Sequence, residues 1–119
     1  MSLLVVGSVA LDSVETPFGQ ISDALGGSAV YFSVAASLLG PVQVVGVVGS
    51  DYPLDQLHGL NRGIDWSGLE RAEGESFRWR GRYSFDLQSR DTLETRLGVF
   101  AAFQPKLPPS AAATEFLFL

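Results

Sequence analysis

A few residues in this chain are of types and spacings that could do chemistry. Asp12 follows the apolar run Leu3-Leu4-Val5-Val6, with Gly7 and Ser8 between them. A carboxylate just beyond a strand end is placed to accept hydroxyl groups, because ligands of open α/β sheets bind outside the carboxyl ends of the strands. Gly26-Gly27 precedes the small-residue stretch Ser28 to Leu39. Two glycines let a backbone approach a ligand closely, and a helix starting after them would offer unpaired N–H groups. Gly-Gly by itself is neither a phosphate-binding loop nor a dinucleotide fingerprint. In Ser76 to Phe85, Phe77, Trp79, Tyr83 and Phe85 alternate with Arg78, Arg80, Arg82 and Ser84, and Gly81 falls on the aromatic side. Arginine stripes of this kind are more often solvated edges than ligand clamps. The aromatic side reads first as packing or subunit contact, and second as a stacking surface.

Composition removes several chemistries. The chain has 119 residues and no cysteine, so disulfides, thiolate metal sites and cysteine nucleophiles are absent from it. A single histidine, His58, leaves little for a zinc site or a hydrolytic triad, and it reads as a surface or packing residue. The net charge of -5 argues against nucleic acid as a partner, since a phosphate-backbone binder needs a basic field. No apolar run is long enough to span a bilayer, and the first residues lack the basic start of a signal peptide. The expectation is a cytoplasmic protein with no membrane partner and no metal site.

These residues need elements to hold them. Leu3 to Val6 reads as a buried strand that Ser8 to Asp12 continues, and Thr16-Pro17-Phe18-Gly19 reads as a turn or hairpin. Ser28 to Leu39 reads as a helix buried on nearly every side, with Ser28 as its cap and Gly40-Pro41 as its stop. Val42 to Val48 is a second strand, apolar at nearly every position, as in parallel sheets covered on both faces. Strand, helix, strand suggests a right-handed βαβ unit. Asp51-Tyr52-Pro53 should open another helix, capped by Asp51 and running to about Gly63. The alternation over 76–85 predicts a half-exposed antiparallel strand, with a partner within Thr92 to Phe103. Ser110 could cap one short helical turn through Ala113, and Glu115 to Leu119 has the look of one more buried strand.

In their order and spacing, several of these pieces resemble the PfkB (ribokinase-like) family of carbohydrate and nucleoside kinases. They are Val5-Val6-Gly7-Ser8-Val9-Ala10-Leu11-Asp12, Gly26-Gly27-Ser28-Ala29-Val30-Tyr31-Phe32-Ser33-Val34-Ala35, Leu38-Leu39-Gly40, Val44-Val45-Gly46-Val47-Val48-Gly49-Ser50-Asp51 and Gly63-Ile64-Asp65. The resemblance implies part of a Rossmann-like ribokinase fold, a parallel sheet with flanking helices, plus a small antiparallel β lid at about 76–103. It implies substrate contacts at Asp12, Gly26 and Gly27. Tyr31 stands where the family usually has asparagine; it can donate one hydrogen bond and stack on a ring, but cannot copy an amide. Trp79 and Arg82 would belong to the lid, and lid strands commonly make a homodimer contact.

The family transfers the ATP γ-phosphate to a hydroxyl, with Mg²⁺, through a Gly-Ala-Gly-Asp motif that does not occur in these 119 residues. The expectation is therefore that residues 1–119 are the N-terminal, substrate-binding part of such a kinase. No catalytic residue or bound cofactor is assigned to this part alone. A terminal Phe-Leu-Phe-Leu strand left uncovered agrees with that. The other reading is a non-catalytic ligand-binding or dimerisation module, or a kinase remnant.

Overall fold

The computed structural model describes residues 2–60 and 63–119. Two four-stranded sheets make up the molecule. The first is parallel and holds β1 (Leu3–Val6), β4 (Val42–Val48), β5 (Ile64–Arg71) and β8 (Phe116–Phe118), in the order β5-β4-β1-β8. The second holds β2 (Ala10–Thr16), β3 (Gly19–Gly26), β6 (Phe77–Tyr83) and β7 (Arg90–Arg96), in the order β3-β2-β6-β7. Helix α1 (Ser28–Ala36) follows β3, and the short α2 (Leu54–His58) follows β4.

Every residue of β4 is buried. One face carries Val42, Val44 and Val48 into a core with Val5, Ala29, Val30, Leu57 and Trp66. The other face sets Val45 beside Leu4 and Ala111, with Phe103 packed against them. Covering both faces is what permits an unbroken apolar run, because alternate side chains point to opposite sides. The second cover comes from two 3₁₀ segments, Gly98–Ala102 and Pro109–Ala113. Ser110 does not cap the latter; its hydroxyl accepts a hydrogen bond from Gln43 Nε2 at 2.8 Å.

Several expected elements differ in place or extent. Ser8 to Asp12 does not prolong β1. The chain leaves the first sheet after Val6, and Asp12 lies within β2 of the second. That sheet takes in residues 10–26 as well as 77–96, so the 76–103 stretch supplies only two of its strands. It is also mixed, since β2 runs parallel to β6 while β2–β3 and β6–β7 are antiparallel. Helix α1 ends at Ala36 and buries one face only, through Ala29, Val30, Ser33 and Ala36; Tyr31 is 61% exposed. Gly27 rather than Ser28 is its N-cap. Strand β8 lies at the sheet edge with Phe116 and Leu117 exposed, so it is not a buried strand. The helix expected from Asp51 to Gly63 shrinks to α2, capped by Pro53.

Asp51 is released from capping because it has other partners. Its Oδ1 accepts the Ser76 N–H at 2.9 Å and the Ser76 hydroxyl at 2.7 Å, and its Oδ2 accepts Arg78 Nη2 at 2.9 Å. The Ser76 Oγ in turn accepts the Gly49 N–H at 2.8 Å. This knot ties the loop after β4 to the start of β6, and hence one sheet to the other. Burial opposes the charge on Asp51, but the bonds from Ser76 and Arg78 outweigh it and hold its pKa below the ordinary aspartate value.

Two outcomes follow. Ser76 is fully buried, so Ser76→Ala strands both the Gly49 N–H and part of the Asp51 carboxylate. Chemical denaturation should show a loss of about 1–3 kcal/mol. The depressed pKa means that Asp51 contributes stability above its unfolded value, and that this contribution is lost as pH falls through the folded one. Protection factors at the start of β6, with the intrinsic pH dependence of amide exchange divided out, should therefore fall on acidification below the ordinary aspartate range, and Asp51→Asn should flatten that response.

Candidate binding site

The second sheet presents two chemically different faces. Register pairs Asp12 with Trp79 and Val14 with Gly81, so Ala10, Asp12 and Val14 share a face with Phe77, Trp79 and Tyr83. The opposite face carries Arg78, Arg80 and Arg82. Arg80 and Arg82 both bond Glu15, the latter from Nη2 at 3.1 Å, and Arg78 bridges Asp23 and Asp51. The arginine stripe is thus an ion-pair ladder, and Arg82 is directed away from the aromatic face. The pairing with Arg80 and Arg82 holds the Glu15 pKa below its ordinary value.

The aromatic face, together with the N-terminal end of α1, encloses an open cavity of about 410 Å³. Asp12, Gly27, Tyr31 and Trp79 all line it, as do Phe77, Tyr83 and Arg90. Four of the expected site residues therefore meet in one place. Gly26 is not at the cavity wall; it stands behind Asp12, where any side chain would occupy the space of the Asp12 carboxyl group. Gly27 has φ of 94°, in the left-handed region, and a side chain there would strike the backbone of Ser8. The glycine pair is required twice, by a carboxylate and by a backbone turn.

Asp12 is half-buried. Burial pushes its carboxyl pKa above the usual value, against the opposing effect of a hydrogen bond from the Gly27 N–H. The remaining donors of this turn are also taken. Ser28 N–H donates to the Ser8 hydroxyl at 3.0 Å and Ala29 N–H to the Ser8 carbonyl at 3.0 Å, so the expected free N–H groups are engaged within the chain. Tyr31 projects from the exposed side of α1. Its phenol pKa is raised by burial and then by the charge of Asp12. Tyr52, expected only at a helix start, lies in the core beneath. Its hydroxyl is buried with no hydrogen-bond partner among the described residues, and burial, Asp12 and Tyr31 together push its pKa up.

Gly81 explains the gap in the aromatic alternation. A side chain there would fill the space of the Trp79 six-membered ring, so the indole lies along β6 over this glycine. The Arg90 guanidinium sits 5.3 Å from the centre of the Trp79 ring, and Trp79 Nε1 donates to Thr92 Oγ1 at 3.4 Å. A wall of flat rings, a carboxylate at one end and a guanidinium at the other can bind a molecule that has hydroxyls and an aromatic face. Nothing on this wall gathers three or more His, Asp or Glu side chains to hold a metal ion, and no such group exists among the described residues.

The comparisons with known proteins bear on the fold. The nucleoside kinase of Burkholderia thailandensis, solved with inosine bound, superposes with a TM-score of 0.67 at 21% identity, over 81% of this chain and 36% of that one. The fold is that of the ribokinase-like kinases. The Methanocaldococcus jannaschii nucleoside kinase, an archaeal member of the ribokinase family, gives 0.62 at 23% identity over 82% of this chain and 37% of that one. The ribokinase of Cryptococcus neoformans, solved with ADP, gives 0.64 at 21% over 81% and 33%. In sequence the chain is 31% identical over 77 residues to the cytidine kinase of Thermococcus kodakarensis, covering 64% of this chain and 28% of that protein. No protein-family model matches. The chain thus spans about a third of the length of these ribokinase-like proteins. Among its described residues no helix is long and apolar enough to cross a membrane.

The raised pKa of Asp12 has a consequence that can be measured on this ribokinase-like chain without any ligand. A carboxyl group whose folded pKa lies above its unfolded one favours the folded state at low pH, and that advantage is lost as pH rises through the folded value. Asp12→Asn should therefore raise the unfolding midpoint at neutral pH relative to wild type, and the difference should vanish under acid conditions. Gly26→Ala, which displaces the carboxyl group, should lower the midpoint.

Proposed function

We propose that this chain is a member of the ribokinase-like (PfkB) kinases and supplies the substrate-binding part of an ATP-dependent kinase. Nucleosides are the favoured substrate class. The observation that carries the reading is the cavity of about 410 Å³ that sets Asp12 opposite a wall of Phe77, Trp79 and Tyr83. A carboxylate accepts two hydroxyls of a pentose, while flat rings bury a base; each aromatic contact of this kind contributes about 1–3 kcal/mol in nucleic-acid-binding proteins. A bare sugar would leave most of the aromatic wall in water. The relatives that bind or act on nucleosides, the inosine-bound kinase and the cytidine kinase, favour the same class.

In this account Asp12 holds and orients the substrate hydroxyls, Gly26 and Gly27 shape the carboxylate's seat, and Tyr31 closes the side of the cavity formed by α1. The second sheet acts as the lid, whose closure excludes water that would compete as phosphate acceptor. ATP with Mg²⁺ would supply the transferable phosphoryl group. No proton transfer or phosphoryl step is assigned to these residues. The same sheet is proposed to pair with a second copy. Phe18 and Phe85, 5.4 Å apart at one end of the sheet and about three-quarters exposed, are the apolar contact it would cover.

Isothermal titration calorimetry of the whole protein is the test. Nucleosides should bind at least about tenfold more tightly than free ribose, the effect of one base–aromatic contact. Asp12→Asn should weaken nucleoside binding by about 10- to 100-fold, the range for hydrogen bonds to a charged group. Equal affinity for ribose and nucleosides would turn the assignment to a sugar substrate, and no binding of either would favour a module without this activity.

A further inference from the structure

Resting on the nucleoside reading, we propose that Arg90 is a specificity-determining residue that reads hydrogen-bond acceptors on the edge of the base. Its distinction is that it is unspent. Arg78 is paired with Asp23 and Asp51, Arg80 and Arg82 with Glu15, and Arg96 with Glu75 and Glu94. Arg71 donates to the Ser50 carbonyl at 2.7 Å. Among the described residues Arg90 alone of the arginines has neither carboxylate nor carbonyl partner, and it alone lines the cavity. The sheet faces explain the difference. Glu15 and Asp51 hold Arg78, Arg80 and Arg82 on the far side, while β7 places Arg90 opposite Tyr83 on the aromatic side.

Its position suits a base rather than a pentose. Strand β6 lies between β2, which carries Asp12, and β7, which carries Arg90. Two strand spacings put these strands about 10 Å apart; Arg90 pairs with Tyr83, further along β6 than the Asp12 partner Trp79, and its side chain reaches back so that the guanidinium lies over the Trp79 ring. With hydroxyls at Asp12, the base lies over Trp79 and its edge reaches the guanidinium that already stacks on that ring. Asp12 and Arg90 are the only charged residues lining the cavity, one of each sign. Their balance fits a neutral ligand, donor-bearing at the carboxylate end and acceptor-bearing at the other. A phosphorylated sugar would bring negative charge into the same space as Asp12. Because guanidinium only donates, the preferred base edge is one with adjacent acceptors, as in inosine (O6 and N7), over one that presents an amino group, as in adenosine.

The test is calorimetric titration of wild type, Arg90→Gln and Arg90→Lys with inosine, adenosine, ribose and ribose 5-phosphate. Arg90 is exposed, so both variants should fold; far-ultraviolet circular dichroism and the thermal unfolding midpoint check this. The proposal expects wild type to prefer inosine over adenosine by about tenfold or more. It expects Arg90→Gln to erase that preference while leaving ribose affinity unchanged, and Arg90→Lys to restore only part of it. If nucleosides bind but their ranking does not respond to Arg90→Gln, the inference fails and the nucleoside reading stands. If ribose binds as tightly as inosine, both fail. If ribose 5-phosphate binds most tightly and loses that advantage in Arg90→Gln, Arg90 is a phosphate clamp and the base-reading role is overturned.

Discussion

A carboxylate drawn part-way out of water costs free energy unless something replaces the lost hydration. Asp12 is in that position, and the arrangement around it follows from the need to keep it there. The Gly27 N–H supplies one hydrogen bond, which only partly offsets the burial. Gly26 has no side chain because the Asp12 carboxyl group occupies that space, and Gly27 takes a backbone conformation that side chains rarely adopt. The turn then launches α1, which sets Tyr31 over the cavity. Residual cost of this kind concentrates where a protein binds ligands, since a group satisfied within the chain has nothing left to offer.

The same logic sorts the arginines. On the outer face of the second sheet, carboxylates from β2, β3 and the loop after β4 engage Arg78, Arg80 and Arg82, so these serve to brace strands and to join the two sheets. On the inner face the side chains are aromatic, and the guanidinium that reaches it stacks on Trp79. Strand alternation thus separates structural charge from charge available to a ligand, within a sheet four strands wide.

How far this could be read from the sequence differs element by element. The apolar runs of β1 and β4 announce a two-sided parallel sheet, and the Phe-Arg-Trp-Arg alternation announces β6 and its two faces. Gly26-Gly27 marks the turn that the cavity needs. Strand β3 carried no such signal: Gln20 to Asp23 are exposed at the sheet edge, where no buried face imposes a period. Strand β5 alternates only over Ile64 and Trp66 before a register shift breaks the pattern. The placement of Asp12 in the second sheet turns on the chain leaving the first sheet over Gly7 to Val9, which local sequence does not encode. Arg90 was invisible for a related reason. Its importance lies in what does not pair with it, and that depends on which face each carboxylate occupies. The aspartate at 51 looked like a helix cap because cap and cross-sheet acceptor share one residue type, and only tertiary contact with Ser76 and Arg78 decides between them.

The most direct measurement of the central claim is a crystal structure of the protein with a nucleoside bound. The account predicts the pentose hydroxyls within hydrogen-bonding distance of Asp12 and the base stacked on the Trp79 face. A nucleoside found elsewhere, such as the groove between β5 and Lys106 on the far side of the parallel sheet, with the Asp12 cavity empty, would contradict it.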